Sequence, residues 1–144
     1  NSDNTIGAII SLNCETDFVA KNDSFVALAN QLAEIDLEKD SMDDFLNAEI
    51  DSMTVNDKLI QQTGVIGEKL VIGNFEKISA GYVGKYIHAG NKIATIVGVS
   101  SAVEGIEEDS KNVAMHAAAM NTIALDEGGV EKQRMRKSLS QKYY

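Results

Sequence analysis

Few residues in this chain could perform covalent chemistry. The sequence contains one cysteine, Cys14, and two histidines, His88 and His116. A cysteine thiol paired with an imidazole would be a nucleophile with its base. Cys14, however, ends an apolar run, and no neighbour in the sequence would lower the pKa of its thiol. We therefore expect Cys14 to be a small core residue and the protein not to be an enzyme.

The residue types for a metal or nucleotide site are also lacking. One cysteine excludes an internal disulfide and, with two histidines, a zinc cluster built on the usual spacings. The glycines never precede the Lys-Ser or Lys-Thr of a phosphate-binding loop, and Gly128-Gly129 precedes a predicted helix without a strand before it. We expect no cofactor, no metal and no nucleotide bound by this chain, and a reducing compartment.

An acid and an aromatic, Asp17 and Phe18, remain as candidates. They lie between an apolar run and an amphipathic segment, and a strand-to-helix junction presents side chains from a rigid base. The pair could therefore contact a partner. In the alternative, Phe18 turns inward as a core aromatic and Asp17 caps a turn. Phe25 and Leu28 already supply apolar side chains to the next segment, which slightly favours the outward position.

The two histidines have different expected environments. His88 stands at the tip of a predicted hairpin beside two tyrosines, and hairpin tips are exposed, so His88 is a candidate for contact with a partner. His116 lies between Val113 and Met120, at i−3 and i+4, and shares their apolar stripe. We expect His116 to be a hydrogen-bonded core histidine.

Charge is unevenly distributed along the chain, whose net charge is −9. Residues 1–130 contain 21 acidic and 8 basic residues, a net of −13, and residues 131–144 contain 5 basic residues and 1 acidic, a net of +4. So acidic a body repels phosphate backbones, and we do not expect a nucleic-acid partner. The basic tail could be a nucleic-acid arm, but the close spacing of its bases on a predicted helix favours a solvated helix face.

The elements that position these residues follow from the spacing of apolar side chains. Residues 5–12 lack helical spacing and predict a strand buried on both faces. Asn22, Asp23 and Ser24 offer N-caps for the helix that follows. The apolar stripe of this helix comprises Phe25, Leu28, Ala29, Leu32 and Ile35. A second helix is predicted after Ser41, with Ile50 on its stripe. A third begins at Thr54, runs through Gln62 and stops at Gly64.

The second half of the chain has a different pattern, rich in Val, Ile and Tyr and interrupted by glycines. Strands are predicted within 68–79 and 81–100, with a hairpin connection at 88–91 in which Gly90 takes a positive φ. A helix at about 106–120, a connector at 121–125 and a polar helix at 126–141 complete the chain.

These blocks predict an α+β fold of two small subdomains, in which antiparallel sheets pack against helices. A shift of composition near residue 79 divides the chain into 1–79 and 80–144. No apolar run approaches the roughly 20 residues that span a bilayer, so we expect no membrane association. The chain begins at Asn1 rather than Met, and we expect it to be an internal fragment.

Three blocks of sequence resemble the family of elongation factor Ts, over roughly residues 5–140. The most specific is Asn-Cys-Glu-Thr-Asp-Phe-Val-Ala-Lys-Asn at 13–22. The second is Gly-Val-Ile-Gly-Glu at 64–68. The third is Tyr-Ile-His-Ala-Gly-Asn-Lys-Ile at 86–93, which is similar to a Tyr-x-His-x-Gly hairpin of the family. The run Ala-Met-His-Ala-Ala-Ala at 114–119 also resembles a helix of the family.

The resemblance implies an exchange factor that removes GDP from the GTPase elongation factor Tu in translation elongation. Phe18 would wedge between two helices of that partner near its magnesium site, Asp17 would bond to one of them, and Thr16 would shape the loop. Ile66, Gly67 and His88 match family positions that also contact the partner. The implied location is the bacterial cytoplasm, with a mitochondrion or a chloroplast as the alternatives.

Two departures from the family bear on activity. The family's small N-terminal helical domain is not in this sequence, and longer members continue past residue 144 into a coiled-coil hairpin and a returning strand. The chain is then an excised core or a shortened member, with reduced exchange activity in either case. An open sheet edge would favour pairing with a second copy. The alternative function is a self-associating structural module whose Asp17 and Phe18 are buried and inert.

Overall fold

A computed structural model describes residues 1–120 of the chain. Its elements follow in the order β1 (Ile6–Asn13), α1 (Asp17–Ala20), α2 (Asp23–Asp36), α3 (Met42–Leu46), β2 (Glu49–Ile50), β3 (Met53–Thr54), α4 (Val55–Ile66), β4 (Val71–Ser79), β5 (Tyr82–Ile87), β6 (Ala94–Val99) and α5 (Ile106–Met120). Within this range the strands form three two-stranded antiparallel sheets, which pair β1 with β4, β2 with β3 and β5 with β6. The predicted α+β class with antiparallel sheets is confirmed.

The main core lies where α2, α3 and α4 meet the β1–β4 sheet. The stripe predicted on α2 is confirmed, because Phe25, Leu28 and Leu32 are buried and Ile35 packs against them. Asn22 caps this helix, its side chain accepting a hydrogen bond from the Ser24 amide at 2.9 Å. The other buried members of the core cluster are Phe45, Ala48, Ile50, Val55, Leu59 and Leu70.

Strand β1 is half-buried along most of its length, so the prediction that both of its faces are buried is wrong. Its pairing with β4 runs from Ile6 opposite Ser79 to Asn13 opposite Val71. The register is interrupted between Ile10 and Leu12, where the Ser11 hydroxyl accepts a hydrogen bond from the Asn74 amide at 2.8 Å. Beyond this irregularity the end of β1 stays paired with the beginning of β4.

The second predicted helix ends earlier than expected. Helix α3 stops at Leu46, and Ile50 lies in β2 rather than on a helical stripe. Asp51 and Ser52 have φ angles of 52° and 65° and form the two-residue turn between β2 and β3. Two consecutive positive φ angles are typical of a type I′ hairpin, which usually contains glycine, and its absence hid this hairpin in the sequence.

The third predicted helix is longer than expected. Thr54 caps α4 as predicted, since its hydroxyl accepts a hydrogen bond from the Asp57 amide at 3.1 Å. The helix continues past Gly64 to Ile66, because Ile66 packs against the core, and it ends at Gly67 with a φ of 79°. The prediction that Gly64 is the stop is therefore wrong, and Gly67 is the left-handed C-terminal cap.

The β5–β6 hairpin is covered by α5. Gly90, with a φ of 89°, lies in its connection as predicted. Helix α5 turns its small residues Ser110 and Ala114 toward the sheet, and at Gly84 the helix approaches so closely that a Cβ would collide with Ser110. The prediction of a core histidine on this helix is wrong, because His116 is exposed.

The predicted connector at 121–125, the helix at 126–141 and the basic tail lie outside the described residues. The division into subdomains at 1–79 and 80–144 stays a prediction. None of the helices in residues 1–120 is long and apolar enough to cross a membrane. The same range contains no group of three or more His, Cys, Asp or Glu side chains that could hold a metal ion.

Asp36, at the end of α2, is an unusual member of the core. Its side chain is completely buried, and neither carboxylate oxygen has a hydrogen-bond partner among the described residues. The nearby Lys77 ammonium instead donates to the Lys39 carbonyl at 2.9 Å and to the Asp40 carboxylate. Burial raises the pKa of Asp36 to about 6, although the charge of Lys77 offsets part of the effect.

This burial predicts that Asp36→Asn stabilises the protein at pH 7.5. Between the ordinary pKa of about 3.8 and the folded value of about 6, the folded chain binds the proton more tightly than the unfolded chain. Lowering the pH through this window therefore favours folding of the wild type, whereas above it the buried charge opposes folding. We expect a gain of roughly 1 kcal/mol for Asp36→Asn at pH 7.5, shrinking toward pH 4.

Urea unfolding of both proteins across this pH range measures the difference. Glu34→Gln, on the exposed part of the same helix, is the matched control and should change the free energy of unfolding little at any pH. The prediction is contradicted if Asp36→Asn does not increase the free energy of unfolding at pH 7.5, or if the increase does not depend on pH.

Candidate protein-binding site

A single helical turn, α1, carries the acid and the aromatic that the sequence singled out. Thr16 is its N-cap, with extended backbone angles, and the Thr16 hydroxyl accepts a hydrogen bond from the Val19 amide at 3.5 Å. Val19 packs against the core cluster, which points the preceding side chains away from it. The turn therefore has one anchored residue and two presented residues, Asp17 and Phe18.

Phe18 is 89% exposed, more than any other large apolar side chain among the described residues. The alternative in which this ring turns inward is wrong. Burying a phenylalanine side chain is worth about 1.5–3 kcal/mol, so the free chain forgoes that stabilisation here. The exposed ring is therefore available for contact with another molecule.

Glu68 braces the turn from behind. Its carboxylate accepts hydrogen bonds from the backbone amides of Glu15 at 3.0 Å and Thr16 at 2.9 Å, and from the Thr16 hydroxyl. These three donors favour the charged form, and they lower the pKa of Glu68 below its ordinary value. The loop that follows α4 is thus attached to the residues that precede Asp17.

Lys92 braces the turn from the hairpin connection. Its ammonium group lies 2.8 Å from the Asp17 carboxylate, and both side chains are largely exposed. The hydrogen bond and charge of Lys92 lower the pKa of Asp17 below its ordinary value. The ion pair therefore holds the carboxylate toward the hairpin connection in the free chain.

The other predicted contact residues lie outside the turn, in the two chain segments that contain Glu68 and Lys92. Ile66 is half-buried against the core, and Gly67 forms the left-handed cap immediately before Glu68. His88 is exposed in the same connection as Lys92, and the Tyr86 hydroxyl lies 2.9 Å from His88 Nδ1. The three sequence blocks singled out above therefore meet around α1.

A groove of about 900 Å³ runs beside the turn. Its walls come from β1 and β4, from α1 and the segment that leads into it, from α2 and from the hairpin connection. They include Thr16, Asp17, Phe25, Lys92 and Ile93. Phe18 is not among the lining residues. The groove and the ring are thus neighbouring features of one surface.

Cys14 is a poor nucleophile in this setting. Its side chain is half-buried, packs against the core cluster and donates a hydrogen bond to the Thr16 carbonyl at 3.4 Å. Burial is the main cause that raises the pKa of the thiol, and the Glu68 carboxylate adds to it. The thiolate is therefore disfavoured at neutral pH, which agrees with a structural role.

Sequence reasoning missed the roles of Glu68 and Lys92, although both lie in the quoted blocks. One signal was available for Glu68. A capping box needs Glu or Gln three residues after the cap, and after Thr16 that position holds Val19. The incomplete box leaves the Thr16 amide without a side-chain acceptor in its own turn, so that a distant residue can supply one. Nothing in the sequence pairs Lys92 with Asp17.

Fold and site together define a small α+β protein that presents an acid–aromatic pair on a braced helical turn. Residues 15–141 match the family described as Elongation factor TS. The chain belongs to the elongation factor Ts family.

Relatives with the name Elongation factor Ts support this assignment. The protein of Christiangramia forsetii is 57% identical over 139 residues, which cover 96% of this chain and 51% of that protein. That of Flavobacterium psychrophilum is 52% identical with the same coverage, and that of Lactococcus lactis is 41% identical over 94% of this chain and 41% of its own length. The chain thus spans about half the length of the curated relatives it matches.

The brace from the hairpin predicts a shift in the titration of Asp17. Lys92→Gln removes the ammonium group and should raise the pKa of Asp17 toward its ordinary value. An NMR titration of the side-chain carboxyl carbon measures this directly. Lys85→Gln, an exposed lysine on β5, is the control and should leave the titration unchanged. If the pKa of Asp17 is the same in Lys92→Gln as in the wild type, the ion pair between Lys92 and Asp17 does not form in solution.

Proposed function

We propose that this chain acts in translation elongation and promotes release of GDP from the GTPase elongation factor Tu. Asp17 and Phe18 would enter the partner near its magnesium and nucleotide site. The single observation that carries the proposal is the 89% exposure of Phe18 on a turn braced by Glu68 and Lys92. Membership in the elongation factor Ts family supports it.

The mechanism is a coupling between two binding sites and involves no covalent step by this chain. Contacts that form only when the partner's magnesium and phosphate site is distorted reduce the affinity for GDP. By thermodynamic linkage, GDP reduces the affinity for the exchange factor by the same factor. The chain therefore binds the nucleotide-free partner most tightly.

The exposed ring accounts for a useful part of this coupling. Burying one phenylalanine contributes about 1.5–3 kcal/mol, and about 1.4 kcal/mol corresponds to a tenfold change in rate. Phe18 alone would accelerate release roughly tenfold to a hundredfold. Larger accelerations require further contacts, for which Ile66, Gly67 and His88 are the candidates, with Thr16 shaping the turn.

The remaining partners follow from charge and sheet geometry. The acidic body disfavours nucleic acid, and a cytoplasmic location accords with the bacterial relatives. A second copy of the chain is a further partner, because each sheet in residues 1–120 has only two strands and leaves edges without a neighbour. Self-association without exchange is accordingly the second candidate function.

The proposal predicts the effect of Phe18→Ala on exchange. Release of a fluorescent GDP analogue from elongation factor Tu is timed without the chain, with the wild type and with the variant. We expect acceleration by the wild type and a loss of roughly tenfold to a hundredfold of it in Phe18→Ala, since the buried ring is removed. Val103→Ala, which shortens another exposed apolar side chain between β6 and α5, should retain the wild-type rate.

Equal release rates with and without the wild-type chain would refute exchange activity. A concentration-dependent dimer in sedimentation velocity would then favour the structural module.

The same assay separates exchange from thiol chemistry. Cys14→Ser keeps the size of the side chain and its weak hydrogen bond but removes the sulfur nucleophile. We expect the rate of GDP release to change by less than about twofold, because the proposed mechanism has no step at this residue. A loss comparable to that of Phe18→Ala, in a variant with unchanged thermal stability, would implicate the thiol.

A further inference from the structure

Helix α1 lacks the local residue that usually completes its cap. The Thr16 hydroxyl accepts from the Val19 amide, as an N-cap does, but the reciprocal acceptor should come from the side chain of residue 19. That side chain is an apolar valine packed against the core. The amide of the cap residue therefore has no side-chain acceptor within its own turn and is open to water or to a residue from elsewhere in the chain.

Glu68 supplies this acceptor from 52 residues away. One of its oxygens, Oε2, accepts from the Thr16 amide at 2.9 Å and from the Glu15 amide at 3.0 Å, while Oε1 accepts from the Thr16 hydroxyl. The reciprocal bond of a capping box is present, but its acceptor is a residue distant in the sequence of the same chain. Glu68 can reach because it directly follows Gly67, where the chain leaves α4 in a left-handed conformation.

The turn needs such an external contact. One turn of helix is marginal on its own, because nucleation fixes several dihedral angles for a single hydrogen bond. Val19 anchors the side that faces the core, and Lys92 holds Asp17 through an exposed ion pair, which is a weak restraint. The contacts of Glu68 are charge-assisted and fix the backbone immediately before Asp17.

We propose that Glu68 is a positioning residue. Its carboxylate caps α1 from a distant part of the same chain and thereby holds Phe18 in the orientation in which it engages the partner. This inference rests on the proposed exchange function. Glu68 acts through Phe18 and needs no contact of its own with the partner.

A double-mutant cycle on GDP release tests the proposal. Glu68→Gln keeps the shape of the side chain but replaces one acceptor oxygen by an amide donor that faces the Thr16 donors. In the wild-type background it should reduce the acceleration of release about tenfold. In the Phe18→Ala background the same substitution should change the rate by less than about twofold, because no ring is left to position.

Glu34→Gln removes the same charge from the exposed part of α2 and is the matched control, with no expected effect in either background. A Glu68→Gln loss of equal size in both backgrounds would show a general effect on folding or direct contact with the partner, and it would overturn the proposal. So would a Glu68→Gln protein as active as the wild type, while Phe18→Ala is impaired.

A second measurement needs no partner. In the wild type, the amide proton of Thr16 should shift with pH as the Glu68 carboxylate titrates below its ordinary range. Most of this shift should be lost in Glu68→Gln but persist in Glu34→Gln, and a smaller shift from the adjacent Asp17 carboxylate should remain in all three proteins. A Thr16 amide that does not respond to Glu68→Gln would overturn the capping of α1 by Glu68, whether or not exchange occurs. Failure of the wild type to accelerate release refutes the exchange function instead, so the two failures are distinguishable.

Discussion

A single turn of helix does not hold its shape in water, because ordering its backbone costs more than one internal hydrogen bond contributes. In this chain such a turn, α1, carries Asp17 and the highly exposed Phe18. Three outside contacts define it: Val19 in the core, Glu68 at its start and Lys92 on its acid. The geometry of the surface therefore depends on interactions between parts of the chain that are far apart in sequence.

The antiparallel pairing of β1 with β4 brings Glu68 close to the start of α1. Asn13, the last residue of β1, pairs with Val71, the first residue of β4. Residues that follow β1 and residues that precede β4 must therefore lie side by side. Glu15 and Thr16 contact Glu68 for this reason. The buried Leu70, between Glu68 and the beginning of β4, fixes this segment to the core. The sheet thus acts as the frame on which the turn is mounted.

Local patterns in the sequence were sufficient for the features that depend on neighbours along the chain. The stripe and cap of α2, the cap of α4 and the left-handed Gly90 are of this kind. The sequence was insufficient where a long-range contact or an unusual turn residue decides. Ile50 has helical spacing but lies in a strand, because the Asp51-Ser52 turn contains no glycine to reveal it. The role of Glu68 depends on strand pairing, which periodicity does not specify.

The two presented residues enter the proposed complex from different starting points. Phe18 makes little contact in the free chain, so docking replaces water around the ring and the full benefit of burial is available for binding. Asp17 already has an ion pair with Lys92, and any bond to the partner must share or replace it. An exposed ion pair of this kind is weak, so the exchange of partners costs little and contributes little. Of these two residues, the aromatic ring would therefore contribute more to the proposed binding, and the acid would mainly fix the orientation in which the ring arrives.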